Sequence, residues 1–110
     1  MPRALVTGAT GLVGSHVVDQ LLAQGWTVRA LVRRPEPELA ARGVDLAVGD
    51  VRDAGSFARA AEGNDVLFHT AAVVTSGGGW EAFRRPNVDG TRNAIAAAAR
   101  AGARLLHVSS

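Results

Sequence analysis

Gly8, Gly11 and Gly14 stand three residues apart in "VTGATGLVGSHV". Glycine at this spacing lets a chain bring bare backbone against an anion. The first permits a tight turn, the second lets N–H groups approach a pyrophosphate at the positive end of a helix, and the third allows close helix-to-strand packing. Tight turns also use glycines for purely structural reasons. Here they follow an apolar opening strand and lead into a helix, which points to dinucleotide binding.

The second polar feature is "LVRRP", about twenty positions on, where a cofactor with a free ribose 2′-hydroxyl is usually met by an acidic residue. Val32 stands in that place, and Arg33 with Arg34 follows at the right reach for a 2′-phosphate. This favours NADP as cofactor, with NAD the alternative. The competing reading is that two arginines in a polar loop are solvated surface.

Strands and helices must alternate to position these groups. "ALVT" leads into a helix on which Val17, Val18, Leu21 and Leu22 share one face and Gly25 offers a left-handed stop. "TVRALV" is a second strand, and the Pro-punctuated "RRPEPELAARG" has room for a turn or two of helix. "VDLAV" is a third strand. Asp53 can cap a helix to about Glu62, ended by Gly63, and "DVLFHT" is a fourth strand. "VVTSGGGW" reads as a loop before a helix over roughly Glu81 to Ala101, which Pro86 should kink or restart near Asn87. Gly102 stops it, and "RLLHVSS" is the fifth strand.

Apolar strands separated by helical connections indicate an α/β Rossmann-type domain over residues 1–110, a doubly wound parallel sheet covered by helices on both faces. Right-handed crossovers give strand order 3-2-1-4-5, with the ligand at the carboxyl ends of strands one and four, where the winding reverses.

Composition narrows the class. The 110 residues are 47% hydrophobic and 20% charged, so a folded core is expected. The pI of 11.0 comes from a formal charge of only +2 in a chain without Lys, Tyr or Cys, and the arginines are scattered, so nucleic acid is not an expected partner. No disulfide or Cys-ligated metal is possible. No signal or spanning segment is read at the N-terminus, so a cytoplasmic protein without membrane association is expected. His69 has no second ligand at metal spacing and reads as a packed histidine; His16 falls on the polar side of the first helix and His107 inside the last strand. Trp80 with "SGGG" is either part of a substrate lid or a surface loop with one apolar anchor.

The motifs "TGATGLVG", "VRALVRRP", "GDVRD", "DVLFHTAA", "NVDGTRN" and "RLLHVSS" together resemble the extended and atypical short-chain dehydrogenase/reductase superfamily, including its NAD-dependent epimerase/dehydratase and dihydroflavonol-reductase-like families. The resemblance implies that Leu12 and Val13 join the glycines at the pyrophosphate. It implies that Asp50 and Val51 hold the adenine edge, although "GD" could equally be a turn with a helix-capping aspartate. Thr70, Ala71 and Ala72 would border the dinucleotide, and Asn87 would help organise a proton relay.

The resemblance further implies hydride transfer between nicotinamide and a secondary alcohol or ketone, assisted by a Ser or Thr and a Tyr-x-x-x-Lys helix. Ser110 matches the hydroxyl, with Ser109 one residue away, but the chain holds no Tyr and no Lys. The expectation is an N-terminal portion, truncated after strand five and inactive alone, whose exposed fifth strand favours self-association. The rival from another class is a non-catalytic dinucleotide sensor or scaffold.

Overall fold

The computed structural model describes residues 2–70 and 79–108, the side chains of 79–88 excepted. Its strands are β1 (Arg3–Thr7), β2 (Thr27–Val32), β3 (Asp45–Val48), β4 (Val66–His69) and β5 (Arg104–His107). They form one parallel sheet in the order β3-β2-β1-β4-β5. The helices are α1 (Leu12–Ala23), α2 (Pro37–Ala41), α3 (Ala54–Ala61) and α4 (Gly79–Ala101). The doubly wound arrangement read from the sequence is the one observed.

The period of two along β1 divides the core. Ala4 and Val6 point to one face, where they meet Val18 and Leu21 of α1 and Leu39 of α2. Leu5 points to the other, where it meets Phe57 and Ala60 of α3 and Ala94, Ala97 and Ala98 of α4. Small residues on α4 let that helix lie close to the sheet. Val17 and Leu22 flank the α1 seam half-buried, as the helical spacing requires. The outer strands keep apolar surface exposed, at Val48 on β3 and Leu106 on β5. Among the described residues no helix is long and apolar enough to cross a membrane.

Local signals set the boundaries. Gly25 ends α1 at φ 82°, and the Trp26 N–H returns to the Leu21 carbonyl at 3.0 Å. Asp53 caps α3 by accepting from the Gly55 N–H at 3.0 Å and from the Ser56 hydroxyl at 3.0 Å. The last helix differs from its expected form. It starts at Gly79, ahead of Glu81, and runs on through Pro86 without restarting at Asn87. Proline there removes one hydrogen bond from a 23-residue run, and its own φ is compatible with a helix.

The carboxyl ends of the central strands are tied together by buried polar groups. The Thr7 hydroxyl shares a 2.7 Å hydrogen bond with Nδ1 of His69 and accepts the Thr70 N–H at 3.2 Å. His69 is 1% exposed, and the exposed His107 stacks on it at 5.5 Å with planes 21° apart. This is the packed histidine expected from the sequence. Among the described residues no group of acidic or histidine side chains could hold a metal ion.

Burial pushes the His69 imidazole down to about 4, with the charge of His107 adding to the effect. An unfolded histidine titrates near 6.5, so the unfolded chain takes up the proton first as pH falls. Stability should be fully present above about pH 6.5 and lost progressively toward pH 4, the loss reaching roughly 3 kcal/mol. Melting curves across this range should show the decline, and His69→Phe should flatten it. Gly14 sets a second expectation, because a Cβ there would lie 1.8 Å from the Gly8 carbonyl oxygen. Gly14→Ala must push α1 off the turn, costing about 1–3 kcal/mol in denaturant unfolding.

Candidate cofactor site

The winding reverses between β1 and β4, and the chain leaves β1 through Gly8 at φ 67°. That left-handed conformation is open to glycine at little cost. The Gly11 N–H closes the turn on the Gly8 carbonyl at 3.0 Å, and the first bond of α1 runs from the Ser15 N–H to the Gly11 carbonyl at 2.9 Å. The amides of Leu12, Val13 and Gly14 precede that bond and have no acceptor within the helix. Gly11 offers no side-chain cap, and the first turn holds no acidic residue. The helix start is therefore an uncompensated positive end, walled by backbone that approaches too closely for a Cβ at Gly14. A pyrophosphate suits the chemistry of this cradle, which is formed by Gly8, Gly11, Leu12, Val13 and Gly14.

Thr70 lies against the glycine turn. Its hydroxyl donates to the Thr7 carbonyl, and Oγ1 stands 2.8 Å from where a Gly14 Cβ would be. Thr70 thus ties β4 to the end of β1 and supports the glycine turn from below. Ala71, Ala72, Ser109 and Ser110 lie outside the described residues, as do the side chains of Trp80 and Asn87.

The neighbouring strand ends carry the charged groups. Val32 is buried, and Arg33 is exposed; among the described residues Arg33 makes no hydrogen bond or ion pair. Arg34 is also exposed, 3.9 Å from Glu36. The Gly49 N–H bonds the Val32 carbonyl at 2.8 Å, so the chain beyond β3 leaves the sheet beside Arg33. There the half-buried Asp50 accepts the Arg52 N–H at 2.9 Å, and it accepts Nε at 3.2 Å and Nη2 at 2.8 Å from the Arg52 guanidinium. These hydrogen bonds hold its carboxyl below the ordinary range against the opposing effect of burial, and the charge of Arg33 adds a smaller pull. The α3 cap is Asp53, so Asp50 is free of that duty.

Val51 is fixed from above. Its carbonyl accepts from Nδ2 of Asn93 on α4 at 2.8 Å, and a Cβ on Gly90 would come within 3.3 Å of its side chain. Sequence reasoning missed Asn93. The available signal was the final asparagine of "NVDGTRN", an amide near the middle of an otherwise Ala-rich helix.

Comparison with known proteins agrees with this geometry. Residues 4–110 match the NAD dependent epimerase/dehydratase family. The chain is similar to sterol demethylase protein B of Methylococcus capsulatus, at 47% identity over 96% of this chain and 34% of that protein. It is also similar to a 3-beta-hydroxysteroid dehydrogenase of Mycolicibacterium neoaurum, at 39% identity over 91% of this chain and 29% of that protein. Among solved structures, a short-chain dehydrogenase/reductase superfamily protein from Agrobacterium tumefaciens with bound NAD superposes with a TM-score of 0.82 at 34% identity, covering 98% of this chain and 32% of that one. The chain therefore spans about a third of the length of the relatives it matches. With its glycine turn, its parallel sheet and a match over nearly its whole length, this chain belongs to the NAD dependent epimerase/dehydratase family within the short-chain dehydrogenase/reductase superfamily.

Proposed function

We propose that this chain is the cofactor-binding portion of an NADP-preferring enzyme that moves hydride between nicotinamide and a secondary alcohol or ketone. The observation that carries the NADP preference is Arg33, exposed and without a hydrogen-bond partner among the described residues, directly after a buried Val32 where a ribose-binding carboxylate would otherwise stand. An arginine there pairs with a 2′-phosphate through a fork of parallel N–H donors. The relatives described as a sterol demethylase protein and a 3-beta-hydroxysteroid dehydrogenase support a hydroxysteroid-like substrate over a nucleotide sugar.

Each residue then has a defined task. The amides of Leu12, Val13 and Gly14 hold the pyrophosphate, Arg33 with Arg34 neutralises the 2′-phosphate, and Asp50 with Val51 borders the adenine. Bound nicotinamide supplies the hydride donor or acceptor. Ser110 would hydrogen-bond the substrate oxygen, and Asn87 would order the proton path behind it. The 110 residues include no Tyr or Lys to supply the proton-relay pair.

Equilibrium titration tests the cofactor assignment. NADPH should bind about tenfold or more tightly than NADH, and Arg33→Ala should remove most of that difference. Equal affinity of the unaltered protein for the two cofactors would overturn the preference. Binding of a protein partner controlled by NADP(H) would favour a dinucleotide sensor.

A further inference from the structure

Two guanidinium groups act on one carboxylate at the ends of β2 and β3: Arg52 pairs with Asp50, and Arg33 contributes a smaller electrostatic pull. Asp50 and Arg33 leave adjacent strands side by side, because the Val32–Val48 register and the Gly49-to-Val32 hydrogen bond join those ends. The position of Asp50 is further fixed by Gly49, where a Cβ would fall 2.6 Å from the Ser56 side chain. A carboxylate held there attracts whichever guanidinium reaches it. In this structure that guanidinium is Arg52, which engages both carboxylate oxygens while its own backbone N–H binds one of them. Arg33 is left without a hydrogen-bonded acceptor among the described residues.

We infer that Arg52 is a specificity-determining positioning residue: by occupying the Asp50 carboxylate it keeps Arg33 available for the cofactor 2′-phosphate. This rests on the NADP reading above and assigns a role to a residue that does not itself contact the phosphate. Two physical effects act in the same direction. A carboxylate whose oxygens are filled by one arginine is a poor acceptor for a second, so Arg33 is not drawn down onto Asp50. The same pairing neutralises a negative charge that would otherwise stand beside a phosphate dianion and repel it. NADH carries no 2′-phosphate and is indifferent to both.

The test compares NADPH and NADH dissociation constants for the unaltered protein, Arg52→Gln, the double variant Asp50→Asn with Arg52→Gln, and Arg33→Ala. Arg52→Gln should weaken NADPH about tenfold and NADH no more than about twofold. Removing the competing carboxylate in the double variant should return the NADPH-to-NADH ratio to within about threefold of the unaltered value. The ratio is the readout because any general disturbance at the adenine edge affects both cofactors alike. Equal weakening of both cofactors by Arg52→Gln would overturn the inference, and so would a double variant no more selective than Arg52→Gln. If Arg33→Ala abolishes selectivity while Arg52→Gln leaves it intact, this inference falls and the NADP reading stands. If the unaltered protein shows no selectivity, both fall.

Discussion

The contact between Gly14 and the Gly8 carbonyl is the constraint from which the site follows. A helix that begins this close to the end of its strand cannot carry a side chain at the point of approach. In return, its first free amides lie directly over the carboxyl edge of the sheet. Thr70 packs into the same corner, and its hydroxyl reaches the Thr7 carbonyl, so the neighbouring strand braces the turn. The resulting cradle is backbone throughout, and its charge comes from peptide dipoles instead of side chains.

Because the cradle is the same for any dinucleotide, discrimination must come from elsewhere. On the NADP reading proposed above it falls to the loops after β2 and β3, where charged side chains stand at the strand ends. Arg52 pairs with Asp50 there and Arg33 stands at the adjoining strand end, the two ends being held in register by main-chain hydrogen bonds. On that reading binding belongs to the glycine turn and selectivity to a small set of side-chain charges.

The sequence made the sheet legible because each strand is an apolar run punctuated by a recognisable stop. Gly25, Gly63 and Gly102 all adopt positive φ where helices end, and Asp53 caps α3 through its own side chain. The glycine turn was legible for the same reason, its signal lying within a few consecutive residues. Contacts between distant segments were not. Thr7 and His69 are 62 positions apart, and nothing local announces that a strand-end hydroxyl will meet that imidazole. Asn93 reaching the Val51 carbonyl is a contact of the same kind. The Asp50–Arg52 pair is near in sequence, yet the two-residue spacing faces neither side of a helix; only the turn between β3 and α3 brings the groups together. Pro86 does not restart α4, because a single proline removes one hydrogen bond from a helix of 23 residues.

Asn93 has a mechanical consequence. Its amide fastens the loop after β3 to the middle of a 23-residue helix. A helix resists stretching far more than a loop does. A displacement of Val51 must therefore either move α4 or break its bond to Asn93. The Asn93 amide and the close approach of Gly90 thus hold Val51 against α4 at two points, so the chain after β3 and the middle of that helix are joined as one piece.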